Sequence, residues 1–142
     1  MAEKVQTILD AQQKLIEEFE YFEDWSDRYR FIIDLGRKLE AFPKEWMIDE
    51  YKVRGCQSQV WLKPDTMNGK LVFYATSDAA IVSGLISIVL KIYNYRTPQE
   101  IIATPPDFIK HIGLSEHLSQ SRTNGLHSFI SNIFHYAKFT NP

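Results

Sequence analysis

The hydrophobic periodicity of this chain changes along its length, and this change limits the folds available to it. Between residues 51 and 76 there are short runs rich in β-branched and aromatic residues, which predict strands at 51–53, 60–63 and 70–76. Asn68-Gly69 is a hairpin turn signal before the last of these strands. Apolar residues recur at helical spacing on both sides of this block. One block of strands between helices predicts an α+β fold, with a small antiparallel sheet of about three strands packed against flanking helices.

Five helical segments can be read from the spacing of apolar residues and from capping signals. The first is predicted from Val5 and the second from near Ser26, both amphipathic. The segment 79–93 is too apolar for a surface helix and is expected to be the central one. Thr97-Pro-Gln-Glu100 is a capping box that predicts a short helix, and the last helix is expected to start near 122–124. A further helical turn is predicted at 108–112, closed by Gly113.

The size and charge of the chain exclude several classes of protein. A chain of 142 residues with 44% hydrophobic content is sufficient for one domain, which is expected to cover residues 1–142. The net charge is −2 and the 16 basic residues are scattered, so a broad nucleic-acid surface is not expected. The start of the chain lacks the pattern of a signal peptide, and the longest apolar stretch is too short to span a membrane. We therefore expect a cytoplasmic protein with neither a nucleic-acid nor a membrane partner.

Cys56 is the only cysteine in the chain. Because there is no second cysteine, the chain cannot form an intrachain disulfide, nor can it build a metal or iron–sulfur site from several cysteines of its own. A free cysteine often behaves as a small buried hydrophobe. Here Gly55 allows a turn that exposes the side chain, and Lys52 and Arg54 are close enough in sequence to favour the thiolate. A reactive and a structural interpretation of Cys56 are both open at this point.

Other candidate residues each have a simpler interpretation. The spacing of the four histidines is not that of zinc ligands. One of them could still lie beside Cys56 in the fold and act as its base. The four are His111, His117, His127 and His135. Asp78 is interpreted as a cap of the central helix. The alternative is that it places a negative charge near the loop that contains Cys56. Arg122 lies near a predicted helix start, where a cation is unfavourable, and this indicates a contact with an anion or a partner. Trp61 is expected in the core.

Several segments together resemble one family. Residues 53–62, Val-Arg-Gly-Cys-Gln-Ser-Gln-Val-Trp-Leu, closely resemble the signature of the SufE-type sulfur acceptors, the cysteine desulfuration proteins of iron–sulfur cluster assembly. Four further segments also resemble the family, and they occur in the family's order along the chain. They are Asp27-Arg-Tyr with Leu35-Gly36, Ser77-Asp-Ala-Ala-Ile-Val with Gly84-Leu85, Gly113-Leu114 with Leu118-Ser119, and Arg122-Thr-Asn-Gly-Leu126. The sequence departs from the family pattern at Thr76 and Glu40, both outside the thiol loop.

The resemblance implies a SufE/IscU-like fold and a function as a sulfur carrier. A SufS-type cysteine desulfurase, which holds the pyridoxal phosphate, would pass persulfide sulfur to Cys56 and be stimulated by doing so. The sulfur would then go to a SufBCD-type scaffold, and the chain would need no cofactor or metal of its own. The residues implied in partner binding or in support of the loop are Arg54, Gly55, Gln57, Ser58, Asp78 and Arg122. Whether the chain acts as an enzyme in its own right is left open.

Two alternative functions remain at this stage. An IscU-like scaffold builds the cluster on itself, but it needs several ligands, and this chain has one cysteine. A non-covalent activator would stimulate a desulfurase by binding alone, with Cys56 in a structural role. The sequence does not determine the particular desulfurase, the final sulfur acceptor, the conformation of the Cys56 loop or the oligomeric state, although the resemblance favours a monomer.

Overall fold

A small antiparallel sheet lies in the middle of the chain, with helices before and after it. The structure is a computed structural model that describes residues 7–140, so Val5, where the first helix was expected to start, lies outside the described residues. The helices are α1 (Ile8–Glu20), α2 (Trp25–Gly36), α3 (Ala80–Tyr93), α4 (Pro98–Ala103), α5 (Phe108–Ile112), α6 (Leu114–His117) and α7 (Gln120–Phe139). The strands are β1 (Val60–Met67) and β2 (Lys70–Ser77), and short 3-10 helices occupy Lys44–Trp46 and Asp49–Tyr51. The α+β class is confirmed.

The two strands form a hairpin through the predicted turn. Their register runs from Val60 opposite Ser77 to Met67 opposite Lys70. Asn68 and Gly69 have φ values of 53° and 78°, the left-handed pair that matches the twist of a two-residue hairpin. Val60 and Leu62 of β1 are buried. Trp61 between them is only partly buried, so the prediction that it lies in the core is wrong. The hairpin therefore presents one face of β1 to the interior.

The third strand, predicted at 51–53, does not form. Lys52 makes a single bridge with Trp61, and the Val53 N–H donates to the Val60 carbonyl at 2.9 Å. At one end of the segment, Tyr51 belongs to the 3-10 helix Asp49–Tyr51, whose backbone is not extended and cannot pair as a strand. At the other end of the segment the chain turns at residues 54–55. The ladder is therefore limited to one bridge, and the sheet of the described residues has two strands rather than about three.

The core is built around α3, as its apolar sequence predicts. This helix contacts α1, α2, α7 and β2. Ile88, Val89, Ile92 and Tyr93 have no exposed surface. Burying each aliphatic side chain of this size stabilises the fold by about 1.5–3 kcal/mol before the cost in conformational entropy. The position of α3 also determines the site, because its first two turns form one wall of a pocket beside Cys56.

Two glycines allow α2 and α3 to cross in close contact. A Cβ atom added to Gly84 would lie 2.0 Å from the carbonyl oxygen of Ile32, and one added to Gly36 would lie 2.6 Å from the backbone nitrogen of Gly84. Any larger residue at these positions would force the helices apart. The close approach fixes α3 against the rest of the fold.

The remaining helices follow local capping signals. Thr7 forms a capping box with Asp10 at the start of α1, and the Thr97 side chain accepts from the Glu100 N–H at the start of α4. The turn predicted at 108–112 is present, and it ends at Gly113 with φ 83°. The last helix starts at Gln120, earlier than 122–124, because the Ser119 side chain caps it. Among residues 7–140, no helix has both the length and the apolar character of a membrane span.

Candidate functional site

The cysteine loop, which we define as residues 54–59, connects Val53 to β1 and lies against α7. Gly55 has φ 89°, in the left-handed region that favours glycine. A Cβ atom added there would lie 2.5 Å from the Ser128 Oγ of α7. Gly55 thus allows the turn that was expected, but the turn brings the loop onto α7 instead of extending it into solvent.

The Cys56 side chain is half-buried at the wall of a pocket of about 320 Å³. Its Sγ lies 3.6 Å from the carbonyl oxygen of Gly125, the geometry of a weak hydrogen bond donated by the thiol. We call this arrangement the docked thiol. In it the sulfur is held against α7 and is only partly exposed.

The pocket combines an apolar interior with a polar rim. The apolar side chains come from β1, α3 and α7, and they are Val60, Val82, Leu85, Ile86, Leu126 and Phe129. The polar residues come from the loop and the start of α7, and they are Gln57, Ser58, Ser119, Ser121 and Arg122. Three elements distant in sequence therefore converge on one cysteine.

Burial controls the protonation of the docked thiol. Desolvation raises the pKa of Cys56 above the ordinary value for a cysteine. Lys52 and Arg54 are both exposed, and the lowering of the thiol pKa expected from their charges does not outweigh this desolvation. The docked cysteine is thus a protonated thiol at neutral pH, and the thiolate is favoured only after the sulfur reaches water.

Asp78 holds the cysteine loop and does not cap α3. Its carboxylate accepts a hydrogen bond from the Gln59 N–H at 3.1 Å, and its own N–H donates to the Gln59 carbonyl at 3.3 Å. The N-cap of α3 is Ala79, one residue later, and no side chain bonds the cap. Ser77 takes part at this end of the helix instead, because its Oγ accepts from the Ala79 N–H at 3.2 Å. The interpretation of Asp78 as a helix cap is therefore wrong, and the alternative beside the thiol loop agrees with the structure.

The other predicted site residues lie around the mouth of the pocket. Arg122 is exposed in the first turn of α7, and the described part of the chain provides no hydrogen-bond or ion-pair partner for its guanidinium. Gln57 is exposed and Ser58 is half-buried, both on the pocket wall. Arg54 is exposed beside Gly55 and does not line the pocket. The structure thus gathers Cys56, Gln57, Ser58 and Arg122 around one opening.

None of the histidines lines this pocket. His117 stacks on Trp25 with the ring centres 4.0 Å apart, and His135 packs against Phe139 at 4.7 Å. The structure therefore gives Cys56 no histidine base. Between residues 7 and 140 there is also no group of three or more His, Cys, Asp or Glu side chains arranged to hold a metal ion.

Apart from Arg122, sequence reasoning missed the residues that α7 contributes to the site. Gly125 and Ser128 contact the cysteine loop, and Ser119 and Ser121 form part of the rim. One local signal was available for Gly125, because glycine is unfavourable inside a helix and needs a reason there. Ser119 and Ser121 gave no signal, since serine is ordinary at a helix start.

A protein-family model and several curated proteins match most of the chain. The model, SufE, described as an Fe-S metabolism associated domain, matches residues 13–137. A SufE-like protein of Rhizobium meliloti is 42% identical over 125 residues, covering 84% of this chain and 89% of that protein. A SufE-like protein of Rhizobium etli is 42% identical over 130 residues, covering 88% of each. A SufE-like protein of Synechocystis is 39% identical over 121 residues, covering 85% of this chain and 74% of that protein.

A solved structure has the same fold. It is the solution structure of a hypothetical protein from Thermus thermophilus, with a TM-score of 0.75. The match covers 90% of this chain and 93% of the other, at 18% sequence identity. The arrangement of helices around the hairpin is therefore shared with an experimentally determined protein.

Proposed function

Because this chain belongs to the SufE family of iron–sulfur metabolism, we propose that it accepts sulfur from a cysteine desulfurase and carries it on Cys56. The observation that supports the proposal most directly is the docked thiol. The only cysteine of the chain lies on a loop, beside a pocket, with its sulfur covered but close to the surface. A structural cysteine needs no pocket and no such loop.

The transfer step follows from ordinary persulfide chemistry. Cys56 first loses its proton to solvent and becomes a thiolate. The thiolate attacks the terminal sulfur of a persulfide on the desulfurase, the sulfur–sulfur bond of the donor breaks, and its electron pair remains on the donor thiolate. Cys56 then carries the persulfide, and no outside oxidant or reductant is consumed. Delivery to an acceptor thiolate repeats the same exchange.

A single cysteine suits a carrier of this kind. A second cysteine nearby would attack the Cys56 persulfide and release the sulfur as sulfide, with formation of a disulfide. The chain has no second cysteine. Cys56 can therefore hold the sulfur until a partner thiol accepts it.

The partners in this proposal are a SufS-type desulfurase and a SufBCD-type scaffold, with the exchange in the cytoplasm. The desulfurase contains the pyridoxal phosphate, and this chain contributes the acceptor thiol and the surface around it. By removing sulfur from the desulfurase, the chain also stimulates its turnover. Arg122, with an exposed guanidinium at the pocket mouth, and Gln57 on the loop are the residues we assign to the contact.

Intact mass measurement tests the proposal. The chain is incubated with a SufS-type desulfurase and cysteine, and we expect the mass to increase by one sulfur atom. The Cys56→Ser variant should bind the desulfurase but gain no sulfur and no longer stimulate sulfide release. A non-covalent activator would keep its stimulation in Cys56→Ser. An unchanged mass of the wild-type chain beside an active desulfurase would also contradict the proposal.

A further inference from the structure

Gly125 occupies a position in α7 where a glycine has no conformational reason to be. It lies inside a 20-residue helix, where glycine is unfavourable relative to alanine. Its φ is not positive, in contrast to Gly55, Gly69 and Gly113, so the backbone there can accept any residue. The size of the side chain allowed at this position is therefore set by its surroundings and not by the backbone.

Those surroundings are the cysteine. The three heavy atoms nearest to a Cβ atom added at position 125 all belong to Cys56, with Sγ at 3.4 Å, Cβ at 3.8 Å and Cα at 4.0 Å. A single added carbon would just make van der Waals contact, and any atom beyond it in that direction would overlap the sulfur. The bare backbone of Gly125 thus forms a seat for Cys56.

The Gly125 carbonyl gives the seat a chemical preference. It accepts the weak hydrogen bond from the thiol at 3.6 Å. A thiolate has no proton to donate and would face the negative end of this carbonyl dipole. The pocket walls from α3 and β1 supply only apolar side chains, so neither offers a counter-charge. A protonated sulfur is therefore favoured in the seat over an anionic one.

We propose that Gly125 is a positioning residue for sulfur transfer, which seats Cys56 as a protected thiol and releases it for reaction when the sulfur leaves the seat. This inference rests on the proposed function for its purpose, but the seat itself can be measured without any partner. The atoms involved are the Sγ of Cys56, the backbone of Gly125 and the empty space where a side chain would be. Docking and reactivity are then alternative states of the same sulfur.

Alkylation of Cys56 by iodoacetamide, followed by intact mass, reports whether the seat is occupied. Gly125→Val adds two γ-carbons to a Cβ that already touches the sulfur, and in a helix its side chain is restricted to one main rotamer. Because an open state populated to about 10% or less would become the main one, we expect alkylation to accelerate about tenfold or more. Gly125→Ala should leave the rate within about twofold, because its Cβ makes only ordinary contact, and should raise the melting temperature by about 3 °C through helix propensity.

The pH profile separates a positioning role from a merely structural one. The charged groups around the sulfur are Lys52 and Arg54 before it, Asp78 beside Gln59 and Arg122 on α7, and none of them changes in these variants. In the wild type, burial raises the pKa of the thiol that governs the alkylation rate. In Gly125→Val this pKa should fall towards that of a free cysteine, about 8.5, whereas in Gly125→Ala it should stay raised.

Ser131→Val is the matched control, because Ser131 is exposed on the same helix and receives the same side chain. It should alkylate at the wild-type rate. If Gly125→Val does not fold, as judged by circular dichroism, Gly125→Leu serves in its place. A folded Gly125→Val or Gly125→Leu variant with the wild-type alkylation rate and pH profile would overturn the inference. That result would leave the proposed function untouched, since sulfur acceptance is tested separately by desulfurase-dependent mass gain.

Discussion

At the scale of single residues, the site holds its nucleophile in an unreactive form. A thiol reacts with a persulfide only as the thiolate, and burial raises the pKa of Cys56 and disfavours that form. The same partial burial reduces the access of oxidants and small thiols to the sulfur. Under the proposed function, protection and reactivity require two positions of the cysteine loop, and we expect the residues that hold the docked position to control the exchange between them.

Asp78 is one of these residues, and its contribution can be measured. Its carboxylate accepts the Gln59 N–H at 3.1 Å at the end of the loop. Because both residues are exposed, we assign this hydrogen bond about 1 kcal/mol. Asp78→Ala should therefore increase the rate of Cys56 alkylation about fivefold. Asp78→Asn keeps an acceptor oxygen of the same shape and should retain most of the protection. Equal rates in Asp78→Ala and the wild type would show that the loop is held elsewhere.

At the scale of the elements, the crossing of α2 and α3 fixes the wall of the pocket. Gly84→Ala should lower the free energy of unfolding by about 3 kcal/mol or more, because the added Cβ would overlap backbone atoms that cannot rotate away. The nearest of these is the Ile32 carbonyl oxygen at 2.0 Å. Urea denaturation measures this change. Gly125→Ala places the same methyl group in another helix without overlap. Its free energy of unfolding should be unchanged or up to about 1 kcal/mol higher than that of the wild type. A Gly84→Ala variant as stable as the wild type would mean that the helices do not approach this closely.

The helices and the hairpin could be predicted from sequence because their signals are local. The capping residue of α4, the glycine that closes α5 and the Asn68-Gly69 turn each act within a few residues. The third strand does not form because Tyr51 ends a 3-10 helix on one side of the segment and the chain turns at residues 54–55 on the other. Periodicity within 51–53 carries no information about either.

The candidate site was predictable only in part for the same reason. Cys56 and the turn at Gly55 stand out in the sequence, and the resemblance of two further segments, at 77–82 and 122–126, points to Asp78 and Arg122. The pocket is formed by side chains of β1, α3 and α7, and their convergence is a property of the packed fold. The interpretation of Asp78 as a cap was wrong because α3 begins at Ala80, one residue too far for that role.

At the scale of the whole molecule, the docked loop forms one side of a pocket whose other walls are apolar side chains of the core or packed against it. Val82, Leu85 and Leu126 line the pocket beside Cys56. When the loop leaves, water reaches this surface, and exposure of apolar area costs about 25 cal/mol per Å². A partner that covers the pocket mouth would offset this cost. Under the proposed function, we therefore expect opening to be favoured in a complex with the desulfurase and disfavoured in the free protein, so that the thiol is protected between encounters.

Hydrogen exchange with and without a SufS-type desulfurase tests this coupling. We expect saturating desulfurase to change exchange in residues 54–58 and to accelerate it at Gln59, because extension of the loop breaks the hydrogen bond from the Gln59 N–H to Asp78. Exchange in α4 should not change, since none of its residues lines the pocket. Cys56→Ser should respond in the same way as the wild type, because the response requires docking and not sulfur transfer. Unchanged exchange in residues 54–58 under saturation would mean that the cysteine receives sulfur without leaving its seat, and the pocket would then have to admit the donor persulfide beside Gly125.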